Sequence, residues 1–555
     1  MSINVESMTE NPGVLGNTDG VLWTKDGKLL TNSILSGETY SGSIVPLATT
    51  SDGHLEVAIH APRMPFGEIH VESSEPIFQA DAVYGLVSSE VIPSTGHSTG
   101  GISSGTATAA NNLFTCATGT TSLSFATIQS RRRLRYRAGQ GIIGRFTALF
   151  SAPAASSILV AGFGTAESGF YFGYSGTVFG ILHSTGGVRE VQTLTVTVGA
   201  SSASNCTITL NTIAHTVALT NSSSTLKTAY EIASATYTGF KATQRGSTVI
   251  FVADSVGNKA GTFSFGAGTT GASASIAETY AGVAATDTWI PQTEWNGDRL
   301  LYATDPDNSK SGITLNPLFG NVFQIDIQYL GFGAIVFKVE VCSETSNQDF
   351  VTVHTIAIPN RQSTTSLTQP SFPFTMAAYS TGSTTNASVS VGSFAGFITG
   401  KHKLTGPRMT YPVSTNDFVG STADTYYPLC TVRNEYVYGG KVNQSIIHLI
   451  SLSACHDDAT PCTIYLIRNA TLVGIPDFQQ FSSGSCSYWD RAATSCTIAN
   501  RDQIIFALCI GQNNNEVFSF GDEISIQPGE TITLAATAVT ATAPYVIASL
   551  NTRED

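Results

Sequence analysis

The chain has 555 residues, a formal net charge of −13, 42% hydrophobic residues and only 12% charged ones. These proportions exclude a charge-rich disordered chain, which would be poor in apolar residues, and a long coiled coil, which needs Glu, Lys and Leu in heptads. Short Val/Ile/Thr/Phe/Tyr runs separated by Gly, Asn, Asp and Ser instead predict a mainly β protein. The expected architecture is several β-sandwich or jelly-roll-like domains with one small inserted α+β domain.

The first 55 residues mix Gly-Asn-Asp turns with short apolar runs, as in "NTDGVLWTKDGKLL". They predict an N-terminal docking arm of one or two hairpins, because such a segment cannot bury a core alone. Its opening, "MSINVESMTENPGVLG", has neither a basic nor an apolar region, so no signal peptide is expected. No stretch reaches the length of uninterrupted apolar residues that a membrane helix needs, so no membrane span is expected.

A central β domain is expected over 56–190 together with 288–405. It begins with period-2 alternation around Leu55, Val57 and Ile59, broken by Pro62 and Pro65. Aromatic and β-branched strands follow in "SSILVAGFG" and "SGFYFGYSGTVFGIL". Between its halves, 191–287 reads as an inserted small α+β domain. Within it "SSSTLKTAYEIASATYTGF" predicts a helix, because Leu226, Ala229, Ile232 and Ala233 recur at helical spacing behind Ser/Thr caps. A C-terminal β-sandwich is expected over 406–555, where Gln-Pro-Gly-Glu in "DEISIQPGETITLAA" predicts a turn between two strands.

No catalytic residue, metal ligand or cofactor is assigned. H-E-x-x-H and the P-loop are missing, and "GFGTAESG" at 162–169 lacks both the following helix and the spacing of a nucleotide loop. His54 and His60 share a predicted strand face without a metal-ligand pattern. Asp305, Asp307 and Asn308 in "TDPDNSKSG" lack the central Gly and bidentate Glu of a calcium loop, and read as a turn. Glu294 and Asp298 flank an aromatic in "EWNGD", the kind of pair a glycosidase uses, but no second signal supports them. Nine cysteines leave at least one unpaired. Cys455/Cys462 and Cys486/Cys496 could close short loops in an oxidising setting, while reduced, buried thiols are the preferred expectation.

The stretch that departs most from the rest is "SRRRLRYRAGQG", residues 130 to 141. On a strand, Arg131, Arg133, Arg135 and Arg137 would line one side, with Arg132, Leu134 and Tyr136 on the other. Like charges about 7 Å apart repel unless anions meet them. The strongly acidic chain opposes approach to phosphate, so no nucleic-acid partner is expected. The arginines are expected to meet carboxylates within the chain or across a subunit contact, where the planar guanidinium fork binds in two places.

Taken together, "MPFGEIHVESSEPIFQADAVYG", "RRRLRYRAGQGIIGRFTALF", "GFYFGYSGTVFGIL", "QTEWNGDRL" and "SGITLNPLFGNVFQIDIQYLGFGAIVF" resemble a group of virion structural proteins of tailed bacteriophages, also seen in large DNA viruses of algae. The resemblance covers roughly 56 to 405; "IRNATLVG", "GDEISIQPGETITLAA" and "VIASLNTRED" extend it to the C-terminal part. It implies a β-rich, self-associating component of the virion, a fibre, spike or decoration of the head or tail. A homotrimer is the expected form, attached to other virion proteins through the N-terminal arm. It carries over no catalytic residue. Two rivals remain. One is an adhesin recognising host surface glycan through exposed Tyr488 and Trp489 in "CSYWDRAATSC", with Trp489 as a core residue the alternative. The other is a polysaccharide depolymerase.

Overall fold

The computed structural model describes most of residues 74–555, leaving out 99–102, 138, 329, 344–345, 401–405, 415–421, 423–424, 457–460, 512–513, 522–523 and 539–544. Before residue 74 it describes only four short strands, Leu22–Trp23 paired with Leu29–Leu30 and Ser36–Glu38 paired with Ile44–Pro46. The chain divides into two compact units, Met1–Arg63 and Met64–Asp555. The docking expectation for the arm, and His54 and His60 with it, lie outside the described residues.

In the second unit the strands form antiparallel sheets. Those from the stretches on either side of the insertion build a two-sheet sandwich. One sheet runs Ser346–Ile356, Ile335–Ser343, Asn321–Ile327, Ile142–Phe150, Ser388–Val391, Leu113–Ala117, Thr106–Ala110, with Ser393–Thr399 and Ser74–Asp81 attached. The other runs Thr286–Pro291, Val178–Thr185, Gly169–Ser175, Ser157–Gly164, Phe374–Ser380, Ser124–Ser130, Val91–His97. Alternation decides which face is inside: in Ser124–Ser130 every second residue is buried, including Ala126 and Ile128. Gly169–Ser175 is instead buried almost throughout. Its inner face feeds the aromatic core, while Tyr171 joins Val160 and Ala377 in a second apolar cluster. Such continuous burial marks a strand covered on both faces.

The core between the sheets is built from phenylalanines. Phe374 stacks on Phe394 at 4.2 Å between centroids and meets Phe146 at 5.4 Å and Phe163 at 5.7 Å. Room for these rings comes from two glycines in register, Gly144 and Gly396. A Cβ on Gly144 would stand 2.2 Å from the Phe163 ring, and one on Gly396 2.7 Å from that of Phe78.

The insertion is pinned at its base by Val188 paired with Val283. It holds a four-stranded sheet, a three-stranded sheet and the helix Thr225–Ala233. The helix starts where expected: Ser224 caps it by accepting from the Lys227 amide, and Ala229 and Ile232 face the core. The C-terminal part pairs a five-stranded sheet with a six-stranded one over Leu449, Leu466, Leu534 and Leu550. Here Gln-Pro-Gly-Glu turns the chain between Ser525–Ile526 and Thr531–Ala538, with Gly529 at a φ of 85° and the Glu530 amide donating to the Gln527 carbonyl. Among the described residues no helix is long and apolar enough to cross a membrane.

All eight described cysteines are free thiols, and only Cys455 and Cys509 are exposed. Neither spacing that could close a loop does so. Burial pushes the Cys206 and Cys462 thiols up to about 11, which starves them of the reactive thiolate. Native alkylation followed by peptide mapping is expected to label Cys455 and Cys509 first among these eight, and the buried six only after unfolding. Early labelling of Cys116 or Cys430 would contradict this packing.

Candidate functional site: an arginine seam between β modules

The arginine run does not form the one-sided ladder of four arginines expected of a strand. Only Leu134–Arg135 is extended, paired with Ser371–Phe372. A regular strand would have aligned like charges on one face. The chain instead crosses irregularly, burying Leu134 and sending its guanidiniums to different partners. Arg131 pairs with Glu530, and its Nε donates to the Ser88 carbonyl at 2.7 Å. Arg133 donates to Gln444 Oε1 at 2.5 Å, and Gln444 in turn donates to Gln369 Oε1 at 2.8 Å. Arg137 meets Asp555 Oδ2 at 2.6 Å. Arg135 is exposed and has no ion pair among the described residues. So three of the four arginines assigned to a subunit contact are engaged within the chain, clamping the central sandwich to the C-terminal one.

A second set of charges holds the insertion to both. Glu167, buried in the turn of "GFGTAESG", pairs with Arg189 at the foot of the insertion. That glycine-rich stretch is a hairpin turn between Ser157–Gly164 and Gly169–Ser175. Arg189 also donates to the Asp254 carbonyl at 2.8 Å and to the Tyr436 hydroxyl at 3.4 Å. Further along, Glu435 is 0% exposed. It accepts from Arg433 Nη2 at 2.8 Å, Thr243 Oγ1 at 3.1 Å and the Tyr436 amide at 3.0 Å, with Arg245 Nε at 3.4 Å. Thr243 and Arg245 belong to the insertion, Arg433 to the C-terminal sandwich. The Arg433 guanidinium lies 4.1 Å from the Phe478 ring centroid, and the Arg245 guanidinium 5.1 Å from that of Tyr488. From the helix, the Tyr230 hydroxyl donates to the Leu472 carbonyl at 2.8 Å and Lys227 Nζ to that of Gly474 at 3.2 Å.

This geometry corrects the expected glycan anchor. Tyr488 is 8% exposed, sealed beneath Arg245 and Arg433. Trp489 is half-buried, with its ring 6.0 Å from Tyr411 and packed on the C-terminal core, the alternative weighed for it. The two lie on opposite faces of one strand. Local sequence could not reveal the cover, because Arg245 comes from the insertion and Arg433 from a strand more than fifty residues upstream.

The other sequence candidates resolve locally. Trp295 of "EWNGD" is a core residue against Phe172, and both carboxylate oxygens of Asp298 accept backbone amides, from Leu300 at 2.9 Å and Ser311 at 2.6 Å. Asp305 accepts from Arg299 and Asn308 across a one-turn 3-10 segment, Pro306–Asn308. Among the described residues no group of three or more His, Cys, Asp or Glu is placed to hold a metal ion. One stretch escaped the sequence reading: "GHSTG" at 96–100 matches the spacing of a hydrolase nucleophile elbow. Gly96 and His97 close the edge strand Val91–His97, and the Ser98 amide donates to the Leu123 carbonyl at 2.9 Å; Thr99 and Gly100 lie outside the described residues. The elbow's strand-to-helix turn is not seen at Gly96–Ser98.

The seam carboxylates make stability depend on pH. Burial alone would raise the Glu167 and Glu435 carboxyls. Arg189 beside the first, and Arg433 and Arg245 beside the second, hold both below the usual 4.5. A depressed folded-state value stabilises above the unfolded value, and that stabilisation is lost as pH falls through the folded one. Asp254, which burial raises despite Lys241, Arg189 and Lys259, acts in the opposite sense. Asp490 and Glu90, whose carboxyls burial also raises, add to that opposite sense elsewhere. The share of the seam is isolated by comparison: the stability that the wild type holds over Glu435→Gln is expected to shrink as pH drops below about 4.5. A difference that stays constant or grows on acidification would refute it.

No protein-family model matches the chain, and no curated protein matches it. Among solved structures, lectin II from Ulex europaeus is similar at 7% identity and a TM-score of 0.20, covering 59% of this chain and 100% of the lectin. The lectin UEA-II complexed with galactose gives 7% and 0.19, covering 59% of this chain and 100% of its own. The binding domain of botulinum neurotoxin serotype D/C VPI 5993 gives 8% and 0.21, covering 83% of this chain and 94% of its own. At such low TM-scores these likenesses carry no argument about function.

Proposed function

We propose that the chain is a structural component of a virus particle, self-associating as a homotrimer. The observation that carries this reading is an uncovered sheet edge. Strand Asn514–Ser519 ends the five-stranded C-terminal sheet and is exposed along its whole length, with Val517 69% and Phe518 42% exposed. An exposed edge with open backbone donors and acceptors, carrying the apolar pair Val517 and Phe518 among polar neighbours, invites another strand, and closed cyclic symmetry buries such edges without leaving a free end. The seam adds to this support. Modules locked by buried ion pairs suit a part that bears load, and the resemblance of the sequence to virion proteins points the same way.

The test has two arms. Light scattering on the purified chain is expected to give a trimer, and Val517→Lys a shift toward monomer. Immunogold labelling is expected to decorate intact particles. A monomeric wild type would sink the self-association; absence of the protein from purified particles would sink the particle role.

A further inference from the structure

A ring of three copies cannot close through one strand alone. Around a three-fold axis each subunit offers one surface and receives on another, and the two must differ. Strand Asn514–Ser519, the edge that carries the trimeric reading, therefore needs a complement elsewhere on the chain.

Most sheet edges among the described residues are guarded. Ser74–Asp81, Val91–His97, Thr286–Pro291 and Arg408–Ser414 carry Pro76, Pro93, Pro291 and Pro412, and proline on an edge removes a donor that a new strand would use. Register shifts distort Ser346–Ile356 and Ser273–Tyr280 against their inner neighbours, which twists an edge away from partners. Phe240–Arg245 is engaged by the C-terminal sandwich through Thr243 and Arg245. Ser264–Gly266, Gln479–Gln480 and Ser525–Ile526 hold only two or three residues.

Among the sheets of three or more described strands, three unguarded edges remain beside Asn514–Ser519. Ile504–Ile510 adjoins it, with the Phe506 and Phe518 ring centroids 4.6 Å apart. The two form one patch, so neither completes the other around a three-fold axis. Ile213–Leu219 already buries Val217 and Leu219 in the insertion's core beside the helix Thr225–Ala233, whose Glu231 accepts the Thr220 amide at 3.0 Å. Thr106–Ala110 is left. It ends the nine-stranded sheet of the central sandwich and holds neither proline, charge nor register shift. Thr106, Thr108 and Ala110 are exposed, while Ala107 and Ala109 pack on the phenylalanine core.

Resting on the trimeric reading, we infer that Thr106–Ala110 of each copy receives Asn514–Ser519 of the next. Bulk suits the pairing: Val517 and Phe518 meet a strand with no side chain larger than threonine. Aromatic against β-branched residues is among the pairings that stabilise neighbouring strands. The nine-stranded sheet of one copy then runs on into the five-stranded sheet of its neighbour, and both free edges vanish together.

Disulfide trapping on the full chain tests this, with Cys455→Ser and Cys509→Ser removing the exposed thiols. Opposed residues of paired strands stand about 4.5–5.5 Å apart at Cβ, close to disulfide reach. Val517→Cys is combined in turn with Thr106→Cys, Thr108→Cys and Ala110→Cys and oxidised by air. At least one pair is expected to give covalent dimers and trimers, and no single cysteine substitution a link. Separately, Thr108→Lys is expected to shift trimer toward monomer in light scattering with the thermal midpoint kept, while Thr108→Ser stays trimeric. Linkage by Val517→Cys alone would reveal a two-fold contact and overturn the inference. So would linkage to Thr216→Cys on Ile213–Leu219, or no link from any of the three pairs. A trimer unharmed by Thr108→Lys but broken by Val517→Lys would overturn it too, and leave the trimeric reading standing. A monomeric wild type would sink both.

Discussion

Glu435→Ala is expected to lower the stability of the module junction by about 3–5 kcal/mol, the effect of breaking a buried ion pair from one side. The carboxylate is fully buried between Arg433 and Arg245, and also receives the Thr243 hydroxyl and the Tyr436 amide. Its removal strands the Arg433 guanidinium, 7% exposed in its side chain, without its anion. Arg245→Ala is expected to cost much less, because that side chain is 29% exposed and water screens what remains. The asymmetry between the two ends of one network is the informative result. Chemical denaturation followed by limited proteolysis at the junction reads it, as a shift of the first transition rather than one global value, since several modules need not unfold together. Equal losses in both variants would mean that burial does not govern this network.

Phe374→Ala is expected to cost about 3–5 kcal/mol in the central sandwich. Its ring bridges the two sheets, touching Phe394 and Phe146 on one and Phe163 on the other. Packing on both sides leaves little room for collapse into the void. Phe374→Leu, which keeps most of the volume, is expected to lose under about 1.5 kcal/mol. Calorimetry should show the central transition moving while that of the C-terminal sandwich stays in place. A uniform shift of all transitions would mean that the modules unfold as one.

The β class, the capped helix at Thr225–Ala233 and the Gln-Pro-Gly-Glu turn were legible because each rests on residues close in sequence. The seam was legible only by half. Five arginines in seven positions announced that anions must meet them. Their partners could not be named, since Gln444, Glu530 and Asp555 lie 311, 399 and 418 residues downstream. Glu167 was hidden differently, inside a glycine-rich turn whose local pattern suggested a weak nucleotide loop. Tyr488 misled for the same reason in reverse: an aromatic between polar neighbours reads as exposed until a distant module covers it. Long-range pairing, which no local period encodes, set the boundary of what could be read.

The sequence distance across the seam has a consequence for how the protein is made. A ribosome delivers the arginine run hundreds of residues before the acids that neutralise it. During that interval the central sandwich can fold around its phenylalanine core, while Arg131 and Arg137 still await Glu530 and Asp555. The clamp is thus a late event of biosynthesis. Once it closes, it marks a chain whose C-terminal sandwich has been completed correctly.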